Sequence, residues 1–222
     1  QIILECIKTF NFHLMFTTLL NFCSNDLSAF YFDIRKDIIY CDSKSSIKRK
    51  SSRTLLDIVF NLLVRWLAPS LSFTSEEAWK SRGNKSSIHL EDFLTAKDSY
   101  FNQQINEKWS KVKQVRKVIT GALEKKRSEK IIGSSLEADI NIYLDEDNLK
   151  KLKDLNFAEI AITSTANINL LNETINAFTI EDIENVAVLV SKTNGKKCQR
   201  CWKYEQQLFN EDLCNRCSDA IK

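Results

Sequence analysis

Four of the seven cysteines fall within "KKCQRCWKYEQQLFNEDLCNRC", residues 196 to 217, as two Cys-x2-Cys pairs, Cys198 with Cys201 and Cys214 with Cys217. Two residues between thiols let both sulfurs reach one ion across a tight turn. The twelve residues between the pairs suffice for a short hairpin that returns the second pair and completes a tetrahedral site. An all-sulfur closed site has no open coordination position, so the chemistry expected is structural: one zinc ion, with iron as the alternative metal and redox thiols as the alternative use. A unit of about 25 residues is too small for a hydrophobic core, so metal binding would supply most of its folding free energy. Cys6, Cys23 and Cys41 stand in apolar surroundings and are expected to pack rather than react.

The charge of this module bears on its use. Lys196, Lys197, Arg200, Lys203, Arg216 and Lys222 face Glu205, Glu211, Asp212 and Asp219, a surplus of two positive charges. A zinc ion with four thiolates carries two negative charges, so the loaded module is near neutral. Long-range attraction to a phosphate backbone is therefore not its main contribution. Local contacts remain: Arg200 and Trp202 flank Cys201 and offer a fork of donors and a stacking face to an unpaired base. The competing reading is that Trp202 shields the sulfurs and Arg200 balances their charge.

The rest of the chain must position this module. At 222 residues with 43% hydrophobic and 27% charged side chains, it has the composition of an ordinary globular protein. One Pro and four Gly disfavour collagen-like, low-complexity and many-turned β architectures and favour long helices. A net charge of +3 is too small to demand a polyanion, but the distribution is uneven. Lys44, Lys48, Arg49, Lys50 and Arg53 crowd one stretch, and residues 108 to 130 hold nine basic side chains; each run reads either as a solvated helix face or as a nucleic-acid surface. An odd number of cysteines argues against a secreted disulfide framework, and the apolar stretch 10 to 23 is too short to span a bilayer. No membrane association and a reducing, cytoplasmic location are expected.

Residues 2 to 23 carry apolar side chains all round, as a buried helix would. Asn25 or Asp26 can cap a second helix through Phe30, Tyr31 and Phe32. "DSKSSIKRKSS" reads as a loop leading to a third helix marked by Leu55, Leu56, Val59, Leu62, Leu63, Trp66 and Leu67, which Pro69 ends. Thr74 and Glu77 have capping-box spacing for the next helix. Phe101, Ile105, Trp109, Val112, Val115, Ile119 and Leu123 form one stripe of a long helix over about residues 99 to 129. Then the period changes: "SLEADINIYL" alternates as a half-buried strand, "EDNLKKLKDL" is a short helix, and "FAEIAIT" and "VAVLVS" read as strands. The expected architecture is mainly α: a helical bundle over 1-130, a small α+β unit over 131-193, and a four-cysteine zinc hairpin over 194-222.

Taken in order, "DLSAFYFDIRKDIIYC", "LAPSLSFTSEEAW", "IGSSLEADINIYL" and the terminal "CQRCW…LCNRC" resemble the C-terminal part of bacterial-type isoleucyl-tRNA synthetases. The first two resemble the helical anticodon-binding domain shared with the valyl, leucyl and methionyl relatives, and the last two the isoleucyl member in particular. The resemblance implies that the bundle and the zinc module lie along the anticodon arm of tRNA(Ile), a partner beside the catalytic and editing domains of the same polypeptide, in a monomeric enzyme. It also implies RNA contact by Arg200 and Trp202, which match the family's Cys-x-Arg-Cys-Trp pattern; Lys113, Arg116 and Lys117 are RNA-contact candidates by charge alone.

The complete enzyme of that family attaches isoleucine to tRNA with ATP and Mg²⁺ and removes mischarged valine by editing, because one methylene discriminates by only about 1–3 kcal/mol. Neither the family's His-x-Gly-His motif nor its Lys-Met-Ser-Lys-Ser loop occurs here, and His13 and His89 belong to no such motif. No catalytic residue is assigned, ATP and Mg²⁺ are expected to serve only the missing catalytic domain, and the chain is expected to be a fragment. The alternatives are a stand-alone tRNA-binding module descended from a synthetase, or a DNA glycosylase-type zinc-finger protein, which would need a β-sandwich upstream. The reading frame before Gln1 separates a synthetase from a stand-alone module.

Overall fold

The structure is a computed structural model and describes residues 1–172, 176–209 and 212–221. Glu211 and Lys222, counted in the charge of the cysteine module, lie outside the described residues. Two compact units are present, Gln1–Phe101 and Asn102–Lys222.

The first unit is helical. Helix α1 (Ile2–Lys8) buries Ile3 and Cys6. The run expected as one helix breaks at Phe10, which takes a left-handed φ of 56°. Asn11 then caps α2 (Phe12–Asn21), its side chain accepting from the Leu14 N–H at 3.3 Å. Nor is this run buried all round: Met15 and Leu19 are buried, whereas Phe12, Phe16 and Leu20 are exposed.

From Asn21 the helical path continues through a π-helical stretch, Phe22–Phe32, into α3 (Asp33–Cys41). Asn25 and Asp26 therefore lie inside a helix and cap nothing; no Gly or Pro occurs between Asn11 and Cys41 to interrupt it. The Ser46 hydroxyl, accepting from the Arg49 N–H at 3.3 Å, opens α4 (Ile47–Leu67). Lys48, Arg49, Lys50 and Arg53 thus stand on its first turns and not in a loop. Helix α4 stops just before Pro69, as expected.

Helix α5 (Ser72–Ser81) begins after Leu71, so Thr74 and Glu77 fall inside it and make no capping box. Val64, Ala68, Trp79 and Ile88 form one small core, with Phe60 packed against it. Ile3, Cys6, Met15 and Leu19 form another, joined by Leu63, Trp66 and Leu67. Cys6 and Cys41 are buried packing residues as expected; Cys23 is half-buried, and burial raises its thiol pKa.

The second unit is a helix on a sheet. Asn102 caps α6 (Gln103–Ser128) by accepting from the Ile105 N–H at 3.0 Å. The strands are β1 (Ala138–Leu144), β2 (Thr165–Leu170), β3 (Phe178–Ile180) and β4 (Ile183–Lys192), in the order β2-β1-β4-β3. Strand β1 pairs parallel with β2 and antiparallel with β4. Its alternation is strict: Ala138, Ile140, Ile142 and Leu144 are wholly buried, as a sheet with one covered face requires. On the other face the Thr165 hydroxyl donates to Asp139 at 2.7 Å, and Asn167 donates to Asn141 at 3.3 Å.

Helix α6 contributes Val112, Val115, Val118, Ile119, Ala122 and Leu123 to the same core. The Phe178 ring comes so close that a Cβ on Gly121 would stand 2.8 Å from it. The parallel connection from β1 to β2 runs through α7 (Glu146–Leu152) and α8 (Phe157–Ala161).

One expectation is corrected here. "FAEIAIT" forms the helix α8, because Asn156 caps it by accepting from the Glu159 N–H at 3.1 Å and Ile162 ends it in the left-handed region; the strand that was expected there lies later, at β2. The compact units divide the chain between Phe101 and Asn102. The apolar stripe of α6 is buried against the sheet, so α6 belongs to the second unit. Among the described residues no helix is long and apolar enough to cross a membrane.

Candidate metal centre and nucleic-acid interface

After β4 the chain makes a small ribbon of β5 (Lys196–Lys197) and β6 (Tyr204–Glu205), paired antiparallel. Gly195 permits it: a Cβ there would lie 2.9 Å from the Glu205 backbone. Between the strands the chain folds into a knuckle. The Cys198 N–H donates to the Lys203 carbonyl at 2.8 Å, and the Trp202 N–H donates to the Cys198 carbonyl at 3.0 Å. The second pair returns through the Phe209–Leu213 bridge and a hydrogen bond from the Gln199 N–H to the Asp212 carbonyl at 2.9 Å. Cys214 immediately precedes α9 (Asn215–Ile221), and Cys217 projects from its first turn.

The four sulfurs of Cys198, Cys201, Cys214 and Cys217 lie within 4.8 Å of one another. None of these cysteines is in a disulfide, and Cys198, Cys214 and Cys217 are buried while Cys201 is half-buried. A tetrahedral ion bonded to sulfur at about 2.3 Å separates its ligands by about 3.8 Å; the Cys201 and Cys214 sulfurs are 3.7 Å apart. Burial opposes ionisation of Cys198, but N–H groups of Cys201, Cys214 and Arg200 outweigh it and bring its pKa down to about 6. The Cys214 N–H reaches that sulfur at 3.3 Å. Burial, with the nearby charge of Cys214 and Cys217, pushes Cys201 up, and burial likewise raises Cys214. Four clustered thiolates repel one another, and a bound cation removes that conflict. The donor set therefore fits a four-coordinate, closed metal site.

The residues expected at the RNA are placed differently from one another. The Arg200 guanidinium is half-buried and donates to the Cys217 sulfur at 3.5 Å, the charge-balancing arrangement. Trp202 takes a left-handed φ of 66° and is 59% exposed. The Lys197 ammonium stands 5.3 Å from its ring centroid, a cation–π pairing. Lys113 and Lys117 are exposed on α6. Arg116 is half-buried, its Nε–H donating to the Ile160 carbonyl at 3.1 Å, where it closes the end of α8. The structure thus brings Arg200 and Trp202 to the cysteines, while the three α6 cations stand outside the module.

Two residues escaped sequence reasoning. Lys197 sits beside a Trp only because the ribbon folds it there. Ser164, far upstream, accepts a hydrogen bond from the Tyr204 N–H at 2.7 Å, and a lone serine in a loop carries no signal of such a contact.

The profile described as "Anticodon-binding domain of tRNA ligase" matches residues 1–142. The isoleucine–tRNA ligase of Bartonella henselae is 44% identical over 213 residues, covering 95% of this chain and 22% of that protein. The isoleucine–tRNA ligase of Pelagibacter ubique is 41% identical over 213 residues, covering 96% and 22%. That of Brucella abortus is 46% identical over 198 residues, covering 88% and 20%. The chain spans about a fifth of the length of these curated relatives.

Proposed function

The chain belongs to the anticodon-binding domain family of tRNA ligases, and from that premise we propose that it is the tRNA-recognising C-terminal portion of an isoleucine–tRNA ligase. In its complete form that enzyme would attach isoleucine to tRNA(Ile) using ATP and Mg²⁺, which the catalytic domain would bind. The observation that carries this reading is similarity to isoleucine–tRNA ligases over 95% or more of the chain. Cys198, Cys201, Cys214 and Cys217 would hold one zinc, whose contribution is to fold and stiffen the module and not to react.

In this reading an unpaired anticodon-arm base stacks on Trp202, a role supported by the exposure of its ring. Arg200, two residues before Trp202 and in contact with Cys217, would add a second contact to the RNA. Lys113 and Lys117 add phosphate contacts, and Arg116 chiefly steadies α8.

Trp202→Ala in the full-length enzyme is expected to weaken aminoacylation by about 1–3 kcal/mol while leaving isoleucine-dependent pyrophosphate exchange nearly untouched. Arg200→Ala acts in the same direction. Lys113→Ala does less, and its effect fades with salt because a phosphate contact is screened. Zinc content measured beside the kinetics separates RNA contact from site shielding: charging at the normal rate with zinc intact refutes the stacking role.

A further inference from the structure

Among the described residues the buried core shared by α6 and the sheet reaches Val190, and the cysteine module has bonds of its own: Cys198 to Lys203, Trp202 to Cys198, and Gln199 to Asp212. A polar contact links the module to the strand unit. The Ser164 hydroxyl accepts from the Tyr204 N–H at 2.7 Å and donates to the Leu136 carbonyl at 2.5 Å. The Ser164 N–H itself donates to the Ala138 carbonyl at 3.2 Å, which fixes the serine at the edge of β1. One hydroxyl thus ties β6 to the loop before β1. Tyr204 lies two residues after Trp202, so whatever holds Tyr204 also sets the direction of the exposed ring.

We propose that Ser164 is a positioning residue for RNA recognition: its hydroxyl fixes the angle at which the cysteine module leaves the strand unit and so places Trp202 for its base. The inference rests on the reading that Trp202 meets RNA. Without the hydroxyl, the Leu136 carbonyl and the Tyr204 N–H turn to water, which satisfies them but holds no fixed angle. The sulfur cluster and the apolar core contain none of these bonds and survive the loss. Recognition through one side chain on a small module depends on its being held in place beforehand.

The test uses the full-length protein with a tRNA(Ile) transcript and compares Ser164→Ala, Ser164→Thr and Trp202→Ala. If the competent orientation falls to about a tenth of the population, apparent affinity falls about ten-fold. Ser164→Ala is therefore expected to raise KM for tRNA about ten-fold with kcat and pyrophosphate exchange little changed and one zinc retained. Ser164→Thr, which keeps the hydroxyl, is expected to restore KM.

Three results would overturn the proposal while leaving the reading intact, provided Trp202→Ala remains defective: a normal KM for Ser164→Ala, loss of zinc or helical circular dichroism in that variant, or a threonine variant as impaired as the alanine one. Normal charging by Trp202→Ala with zinc bound removes the reading, and this proposal with it.

Discussion

Replacing Cys198 with Ser is expected to reduce zinc from one ion per chain to nearly none, while the helical circular dichroism stays close to that of the parent. Cys198 is wholly buried and sits at the centre of the knuckle, its sulfur accepting from the Cys214 N–H and its own N–H closing the turn onto Lys203. A serine hydroxyl does not ionise to replace the thiolate. Metal binding in small thiolate modules amounts to about 10–16 kcal/mol, far more than ribbon β5–β6 and one short helix can replace. The remaining chain has cores of its own: Ile119, Ile140, Ile142 and Val188 in the second unit, and Met15, Leu19, Trp79 and Ile88 in the first. Elemental analysis with circular dichroism checks both halves. Collapse of most of the helical signal would show that the module supports the fold and is not carried by it.

Phe157→Ala is the core substitution with the largest expected cost. Phe157 is 2% exposed and belongs to the apolar cluster that joins α6, α8 and the sheet. Deleting its ring removes transfer free energy and leaves a cavity, together about 3–5 kcal/mol. Against a domain stability of about 5–15 kcal/mol, that brings the second unit near its unfolding threshold. The first unit draws on clusters without Phe157, so urea unfolding of the variant is expected to separate into two transitions, with only one moved to lower urea. A single transition shifted as a whole would contradict the independence of the two cores.

Much of this fold was legible in the sequence because period and punctuation agreed. The valine and isoleucine stripe of α6 and the alternation of β1 face the same core, and Pro69 ends α4 where its chemistry requires. The cysteine spacing was the clearest signal, since bond geometry leaves two Cys-x2-Cys pairs few ways to behave. What failed was local and has local causes. "FAEIAIT" has a strand's composition, yet one asparagine cap and a left-handed Ile162 make it a helix. The run from Phe12 to Cys41 lacks breakers, so Asp26 caps nothing. An apolar stripe shows that a helix is covered but not which element covers it, so the packing of α6 on the sheet was not legible. In the site, Trp202 and Arg200 look alike as neighbours of Cys201. Only the structure separates an exposed ring from a guanidinium turned toward sulfur.

The central claim is that Trp202 reads an anticodon-arm base, and its most direct test is a double-mutant cycle between the side chain and the RNA. Charging efficiency would be measured for wild-type and Trp202→Ala enzymes, each with the native tRNA(Ile) transcript and with transcripts altered one anticodon base at a time, with zinc content determined in parallel. If the ring stacks on one of these bases, the change that most impairs the wild-type enzyme costs the variant much less, and the two losses are coupled by about 1 kcal/mol or more. Equal losses in both enzymes at every anticodon position, with one zinc per chain in each, would contradict the account.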